Sequence, residues 1–242
     1  MLKTILEIVY PPKCIWCRKI LQPMDGTYCC HLCEDKLEEV RQGLLKEEQT
    51  LKVIEVLGEE ENLQLNPCLA LVPYSLEYRQ AILRWKYSGI RKYAKAFASL
   101  IVERKILERL QIDMLVPVPL APSRMKKRGF NQALDLAEEM GKLTEIPVWN
   151  CLKRTRDTKP QAECSKRERS ENIKDSITFN EQFEESKQYK KQKRIETVNC
   201  IAIIDDIYTT GSTARECMKV LEKQFLFRDA TFYIIVVGKG SF

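Results

Sequence analysis

The sequence predicts an α/β protein whose parallel sheet is covered by helices on both faces, with a small metal-binding module at its N-terminus. Uninterrupted apolar runs at 201–204 and 231–237 indicate strands that are buried on both faces. Segments with apolar residues at helical spacing separate the predicted strands, as the crossover connections of a parallel sheet require. Two Cys-x2-Cys pairs within residues 14–33 indicate the separate module.

Length and composition fit one sizeable domain plus a small appendage. The chain has 242 residues, of which 44% are hydrophobic and 31% are charged. Apolar runs such as Tyr233–Val237 are far shorter than the ~20 residues of a membrane span, and Met1–Tyr10 lacks the features of an export signal. We therefore expect a cytoplasmic protein whose clustered cysteines bind metal rather than form disulfides.

The N-terminal module carries four cysteines at the spacing of a structural zinc site. Two Cys-x2-Cys pairs complete a tetrahedral set of thiolates that leaves no position for substrate or water. Cys29 and His31 lie beside the second pair and are alternative ligands, and buried or redox-active cysteines are the alternative to a metal site. The predicted zinc ligands are Cys14, Cys17, Cys30 and Cys33.

The chain divides into three predicted parts. They are a zinc-ribbon-like module over residues 1–40, an acidic linker over 41–67 and the α/β domain over 68–242. The elements expected in the domain are a strand at 68–72, a helix at 78–106, a strand at 113–120 that ends in a proline-rich turn, a helix at 131–143, a strand at 201–204, a helix at 213–225 and a strand at 231–237. The polar residues 180–197 indicate an exposed helix or a mobile insertion.

The net charge of +6 is concentrated in the middle of the chain. Residues 68–120 and 121–200 each carry a net charge of +5. Within 153–169, seven cations accompany three acids, and Pro160 with few apolar neighbours indicates a loop. A basic centre fits binding of phosphate in a small ligand or in a nucleic-acid backbone, whereas a solvated surface explains any single charged run equally well.

The segment from Ile201 to Thr213 carries the most distinctive chemistry. Its buried strand ends in two adjacent carboxylates, Asp205 and Asp206, which can accept hydrogen bonds from sugar hydroxyls or bind them through a divalent cation. A loop rich in hydroxyls then opens the next helix, and Gly211 permits a turn that aims backbone amides at an anion. The hydroxyl donors of this loop are Thr209, Thr210, Ser212 and Thr213.

This segment resembles the ribose-phosphate-binding motif of type I phosphoribosyltransferases. The resemblance implies a type I phosphoribosyltransferase-like domain that binds phosphoribosyl diphosphate together with Mg²⁺. It assigns ligand binding to Asp205, Asp206, Thr209, Thr210, Gly211, Ser212 and Thr213. Lys86 resembles a lysine of the family, and Arg124 and Lys127 are candidates to hold the diphosphate.

Other motifs resemble the ComF family of competence-associated, phosphoribosyltransferase-like proteins. They are the Val-Pro-Val-Pro-Leu run at 116–120 with the basic and Gly-Phe-Asn-Gln residues that follow it, a Lys-x-Gln with later arginines at 159–172, and the double Cys-x2-Cys element. The resemblance implies a role in DNA uptake and natural transformation, with single-stranded DNA and other competence or recombination proteins as partners. The nucleic-acid candidates are Lys126, Lys127, Arg128, Phe130, Lys159, Arg167 and Arg169. The candidates for base stacking are Trp85, Phe130 and Tyr208, with packing in the core as the alternative for Trp85 and Phe130.

The sequence leaves two functions open. One is a phosphoribosyl-diphosphate-binding protein that associates with DNA, and the other is an active transferase that moves ribose 5-phosphate to an unknown nitrogenous acceptor. The single histidine, His31, lies in the module, so a Ser-His-Asp or Cys-His catalytic unit is excluded. The sequence also lacks the Gly-x4-Gly-Lys-[Ser/Thr] loop of an ATP-driven motor. No residue is assigned a catalytic role.

Overall fold

The centre of the protein is a four-stranded parallel sheet. A computed structural model of the chain describes residues 10–56, 68–157, 173–184 and 198–240. The described elements are, in chain order, α1 (His31–Val56), β1 (Cys68–Pro73), α2 (Leu76–Ser88), α3 (Lys92–Val102), α4 (Ile106–Arg109), β2 (Met114–Pro117), α5 (Pro122–Arg128), α6 (Gln132–Thr144), β3 (Leu152–Arg154), β4 (Ile177–Phe179), α7 (Glu181–Glu184), β5 (Cys200–Tyr208), α8 (Ser212–Glu222), a 3₁₀ turn (Phe225–Phe227) and β6 (Thr231–Lys239).

The strand order in the sheet is β1-β6-β5-β2, and every neighbouring pair is parallel. The longest strands, β5 and β6, therefore lie in the middle, where both of their edges are paired. In register, Pro117 of β2 lies opposite Ile204 of β5, and Asp205 lies opposite Val236 of β6. All four strands consequently end at one edge of the sheet.

Helices cover both faces of the sheet, as the uninterrupted apolar runs predict. Because side chains alternate along a strand, Ala202 and Ile204 face a core built from α2, α3 and α6. Ile201 and Ile203 face a second core that contains Trp149, α8 and the 3₁₀ turn. The prediction of a mixed α/β fold with a parallel sheet and flanking helices is confirmed.

Three of the predicted elements differ from the structure. The strand expected at 201–204 runs from Cys200 to Tyr208, so Asp205 and Asp206 lie within β5 rather than beyond its end. The single helix expected at 78–106 is divided into α2 and α3, because Gly89 ends α2 in the left-handed conformation with a φ of 66°. The last strand continues beyond residue 237 to Lys239. It passes through Gly238, where an added Cβ would lie 2.8 Å from Cδ1 of Ile82. The absence of a side chain at Gly238 thus lets α2 pack closely on the end of β6.

The start of the predicted basic loop at 153–169 forms a strand instead. β3 pairs antiparallel with β4, and Arg154 lies opposite Ile177. Leu152 and Arg154 are buried while Lys153 between them is exposed, which is the alternation of a half-buried strand. Most of the predicted insertion at 180–197 lies outside the described residues, apart from the short helix α7.

The four-cysteine module packs on the first face of the domain. The Trp16 ring lies 5.1 Å from Tyr78 and 5.3 Å from Phe97, measured between ring centroids. Nη2 of Arg84 donates hydrogen bonds of 3.0 Å to the carbonyls of both Ile15 and Trp16. The module therefore shares the hydrophobic core of the domain.

The helix α1 crosses residue 40, where the module was expected to end, and continues to Val56. Residues 57–67 of the expected linker lie outside the described residues, so the three-part division stays a prediction. Within the described ranges, no helix is long and apolar enough to cross a membrane.

Candidate ligand site and four-cysteine centre

Several predicted ligand residues meet at the carboxyl edge of the sheet. β5 delivers Asp205 and Asp206 to this edge, and the loop after β5 leads into α8. Lys86 reaches the same place from the last turn of α2. Ligands of parallel α/β sheets bind outside the carboxyl ends of the strands, so the structure brings these groups together where such a ligand would lie.

The two carboxylates are partly buried on adjacent residues of β5, so their side chains lie toward opposite faces of the strand. Nζ of Lys86 lies 2.9 Å from Oδ1 of Asp206, and the Asp206 amide donates a 2.8 Å hydrogen bond to Oδ1 of Asp205. Burial, followed by the negative charge of Asp206, raises the pKa of Asp205 to about 7. Burial therefore opposes ionisation of Asp205, while Lys86 supplies positive charge beside Asp206.

The loop at Thr209–Thr213 is held in a compact turn before α8. Gly211 has a φ of 70°, and a Cβ at this position would lie 2.5 Å from the hydroxyl oxygen of Tyr208. Oγ1 of Thr210 and Oγ of Ser212 lie 2.8 Å apart, and Arg215 donates a 2.6 Å hydrogen bond to the Thr210 carbonyl. The turn gathers hydroxyls at the N-terminus of an eleven-residue helix, where partial positive charge favours an anion.

Arg154 is a site residue that the sequence did not single out. It was expected in a basic loop, but its side chain is only 6% exposed. Burial and then the charge of Arg124 lower the pKa of Arg154, whereas the charge of Asp205 raises it. Arg154 therefore supplies buried positive charge near the acid pair. The alternation of buried Leu152, exposed Lys153 and buried Arg154 is the signal that could have revealed it.

The Gly-Phe-Asn-Gln segment serves mainly to hold neighbouring elements. Asn131 caps α6 by accepting from the Ala133 amide at 3.1 Å, and its Nδ2 donates to the Val118 carbonyl at 2.9 Å. Gln132, which is 1% exposed, donates to the Lys86 carbonyl at 3.3 Å. Phe130 packs partly buried against the core. These amides therefore tie the end of β2 and the end of α2 to the start of α6.

The predicted basic residues are distributed around the edge rather than gathered at one point. Lys126 and Lys127 on α5 are exposed, and Arg124 is half-buried. The guanidinium of Arg128 lies 5.1 Å from the centre of the Tyr87 ring. The candidates Lys159, Arg167 and Arg169 lie outside the described residues.

Of the two interpretations open for Trp85, the structure supports core packing and not base stacking. Trp85 is completely buried and packs edge-on against Phe97 at 5.2 Å. It belongs to the core and presents no face to a nucleic-acid base. Phe130 and Tyr208 are half-buried and remain candidates.

The four predicted cysteine ligands converge in the module. The Sγ atoms of Cys14, Cys17, Cys30 and Cys33 all lie within 4.8 Å of one another. Cys29 is buried beside them, and its hydrogen bond to Cys14 lowers the pKa of Cys14 to about 3. His31, the other alternative ligand, instead contacts Oδ1 of Asp25 through Nδ1 at 2.9 Å. The geometry therefore selects the two Cys-x2-Cys pairs as a set that could hold a metal ion.

Comparison with known proteins gives consistent relatives, although no protein-family model matches the chain. It is 26% identical over 223 residues to Competence protein F of Haemophilus influenzae, covering 90% of this chain and 87% of that protein. It is 31% identical to Competence protein ComFC of Streptococcus pneumoniae, over 64% of this chain and 61% of that protein.

A third relative is Competence protein ComFC of Bacillus subtilis, which is 27% identical over 87% of this chain and 78% of its own length. All three relatives carry competence names, and the first and third span most of the chain. These relationships identify the chain as a member of the ComF family of competence proteins.

Proposed function

We propose that this protein binds phosphoribosyl diphosphate with Mg²⁺ at the carboxyl edge of its sheet, and single-stranded DNA beside it, during DNA uptake in natural transformation. The observation that carries the ligand proposal is the partly buried acid pair Asp205–Asp206, which lies near the end of β5 and shortly before a hydroxyl-rich helix N-terminus. The competence names of the relatives support the role in DNA uptake, for which a cytoplasmic location is expected.

The parts of the edge match the parts of this ligand. The turn at Thr209–Thr213 suits the 5-phosphate, because helix amides and hydroxyls are donors for a phosphate monoester. Asp205 and Asp206 suit the vicinal hydroxyls of the ribose, directly or through a divalent cation. Lys86, Arg124 and Lys127 would hold the diphosphate. In this proposal the parallel sheet belongs to the type I phosphoribosyltransferase-like fold.

The charge state of the acid pair supports the inclusion of Mg²⁺. Oxygen ligands from carboxylates are those that Mg²⁺ prefers, and it is commonly shared between one or two carboxylates and the phosphates of a ligand. The pKa of Asp205 is about 7 because burial, and then the charge of Asp206, disfavours its ionised form. A divalent cation at this edge would stabilise the ionised form of Asp205.

Calorimetry tests the ligand site. We expect the parent protein to bind phosphoribosyl diphosphate only in the presence of Mg²⁺, and about fourfold more tightly at about pH 8 than at about pH 6.5, because Asp205 ionises across this interval. The double variant Asp205→Asn/Asp206→Asn should lose at least about tenfold in affinity.

A matched double variant, Glu222→Gln/Asp229→Asn, serves as the control because it neutralises two exposed acids near the amino ends of the strands. It should bind as the parent does. Three results would contradict the proposed ligand site. They are no binding by the parent, equal binding by the acid-pair variant, and an affinity that decreases as the pH rises from about 6.5 to about 8.

We further propose that the four-cysteine module holds a structural Zn²⁺. With Zn–S distances of roughly 2.3 Å, the sulfurs of a tetrahedral site lie roughly 3.8 Å apart. Cys17 and Cys30 already lie 3.6 Å apart, and all four sulfurs lie within 4.8 Å. The donor set therefore fits Zn²⁺ with little rearrangement.

Metal analysis and thermal unfolding test the zinc site. We expect about one zinc per chain, and well under half of that in Cys30→Ser. Removal of zinc with a chelator should lower the melting temperature of the whole protein by about 5 °C or more. The reason is that Trp16, which lies within the first Cys-x2-Cys pair, packs in the core of the domain. Cys200→Ser, outside the module, should keep the metal. Zinc-free purified protein, or chelation without any change in unfolding, would refute this role.

Single-stranded DNA binding is supported by the distribution of positive charge around the edge. Lys126, Lys127 and Arg128 occupy the last turn of α5, and each of residues 68–120 and 121–200 carries a net charge of +5. Phosphate contacts supply most of the free energy of such binding through counterion release, so affinity must fall as salt rises.

Fluorescence anisotropy with an oligo(dT) of about 20 nucleotides tests DNA binding. This length exceeds the typical site sizes of single-strand-binding proteins. The triple variant Lys126→Glu/Lys127→Glu/Arg128→Glu should bind at least about tenfold more weakly, with the slope of log affinity against log salt reduced by about 2. The control triple Arg109→Glu/Lys223→Glu/Arg228→Glu makes the same charge change near the amino edge of the sheet. Parent affinity that is absent at low salt or indifferent to salt would contradict DNA binding.

A further inference from the structure

A second basic surface lies between the four-cysteine module and the turn that joins α2 to α3. We call it the module surface, and its principal residues are Tyr10, Lys13, Arg18, Ile90 and Lys92. They line a cavity of about 280 Å³. This volume lies just below the roughly 300–1,000 Å³ of sites for drug-sized ligands. The cavity therefore suits one small group, such as a base or a phosphate, rather than a whole cofactor.

The charges of the module surface have one sign. Lys13, Arg18 and Lys92 are exposed, and among the described residues none of them forms an ion pair with a carboxylate. No acidic residue from the described part of the chain lines the cavity. Cations without acidic partners leave their charge available to an anionic ligand.

The module itself fixes two of these cations. Lys13 and Arg18 flank the first Cys-x2-Cys pair, and the Arg18 amide donates a 3.1 Å hydrogen bond to the Cys14 carbonyl. The backbone of Lys13 forms a bridge with Ile20 on the other side of the knuckle. Metal binding at Cys14 and Cys17 would therefore also hold the two cations in place.

Exposed aromatic rings accompany the cations. Tyr10 is 77% exposed and Tyr87, on α2 just before the turn, is 62% exposed. Exposed aromatic faces beside cations are the combination on which single-stranded nucleic acids stack their bases while their phosphates are neutralised. An acidic polypeptide would need the cations but has no use for both rings.

The module surface is continuous with the basic residues of α5. Tyr87 contacts Arg128 at 5.1 Å, and Arg128 in turn donates a 2.9 Å hydrogen bond to Gln132. On the other side of the turn, Nε of Arg91 lies 3.6 Å from Asp135 of α6. The turn between α2 and α3 is thus held against α5 and α6 on one side and borders the module on the other.

We propose that single-stranded nucleic acid bound at α5 continues across the α2–α3 turn onto the module surface. Its bases stack on Tyr87 and Tyr10, and its phosphates are neutralised by Lys13, Arg18 and Lys92. The proposal rests on the proposed DNA binding and extends it to the four-cysteine module. We call the path from α5 across the α2–α3 turn to the module surface the track. The module then has a function beyond stability, since it forms one end of this track.

The test compares oligo(dT) of about 20 and about 6 nucleotides, lengths on either side of typical single-strand sites, on the full chain. In the parent, the longer oligonucleotide should bind more tightly because it reaches both surfaces. The triple variant Lys13→Glu/Arg18→Glu/Lys92→Glu should bind the longer oligonucleotide at least about tenfold more weakly, with a salt slope reduced by about 2. Binding of the shorter oligonucleotide at α5 should change much less, and the control triple Arg109→Glu/Lys223→Glu/Arg228→Glu should resemble the parent.

Two further measurements keep the result interpretable. The zinc content and melting temperature of the triple variant Lys13→Glu/Arg18→Glu/Lys92→Glu, called the module triple, show whether the four-cysteine module is intact. If this variant loses its metal, the double variant Lys13→Gln/Lys92→Gln is used in its place. The double variant Tyr10→Ala/Tyr87→Ala should weaken oligo(dT) about fivefold or more, and should leave an abasic oligonucleotide of the same length unaffected.

The outcomes separate this proposal from the one on which it rests. If the parent binds no oligonucleotide, proposed DNA binding is itself contradicted, and the track with it. If the parent binds and reversal at Lys126, Lys127 and Arg128 weakens it, but the module triple behaves as the control triple does, only the track is overturned. If the module triple loses binding of polyglutamate but not of oligo(dT), the surface belongs to an acidic polypeptide instead.

Discussion

The acid pair near the end of β5 is the constraint on which the rest of the site depends. The four buried residues Ile201–Ile204 place β5 in the middle of the sheet, so the strand can only deliver Asp205 and Asp206 to its carboxyl edge. Burial at this place, followed by the charge of Asp206, raises the pKa of Asp205 to about 7. Lys86 is positioned to offset this charge because α2 packs closely over Gly238.

The helix α2 connects the two parts of the molecule that carry function. Arg84 holds the carbonyls of Ile15 and Trp16 in the module, and Lys86, two residues later, contacts Asp206 at the ligand site. Tyr87 then faces Arg128 of α5. Any change in the module that moves the end of α2 would therefore act on the acid pair as well. Contacts made by α2 therefore connect the module, the ligand edge and the basic residues of α5.

Features that depend on local spacing were predictable from the sequence. The two Cys-x2-Cys pairs predict a cluster that the structure forms, and the run from Ile201 to Thr213 predicts a strand, a turn and a helix in the right order. Features that depend on contacts between distant segments were not. The burial of Arg154 requires β4 to pair with β3, and the role of Gln132 requires α2 to end beside α6. Trp85 lies at helical spacing from Tyr78 and Ile82, and this spacing fits the core position that it occupies.

The central claim is that Asp205 lowers the stability of the folded protein because it is held at the carboxyl edge for a ligand. The pH dependence of unfolding of Asp205→Asn tests this claim most directly. The pKa of Asp205 is about 7 in the folded protein against 3.8 ordinarily, so between these values the folded state binds more protons than the unfolded state. Its contribution to stability therefore falls as pH rises from about 4 to about 7. We predict that Asp205→Asn is more stable than the parent, by a margin that grows between about pH 5 and about pH 8. A variant that is equally or less stable than the parent at about pH 8 would contradict the account.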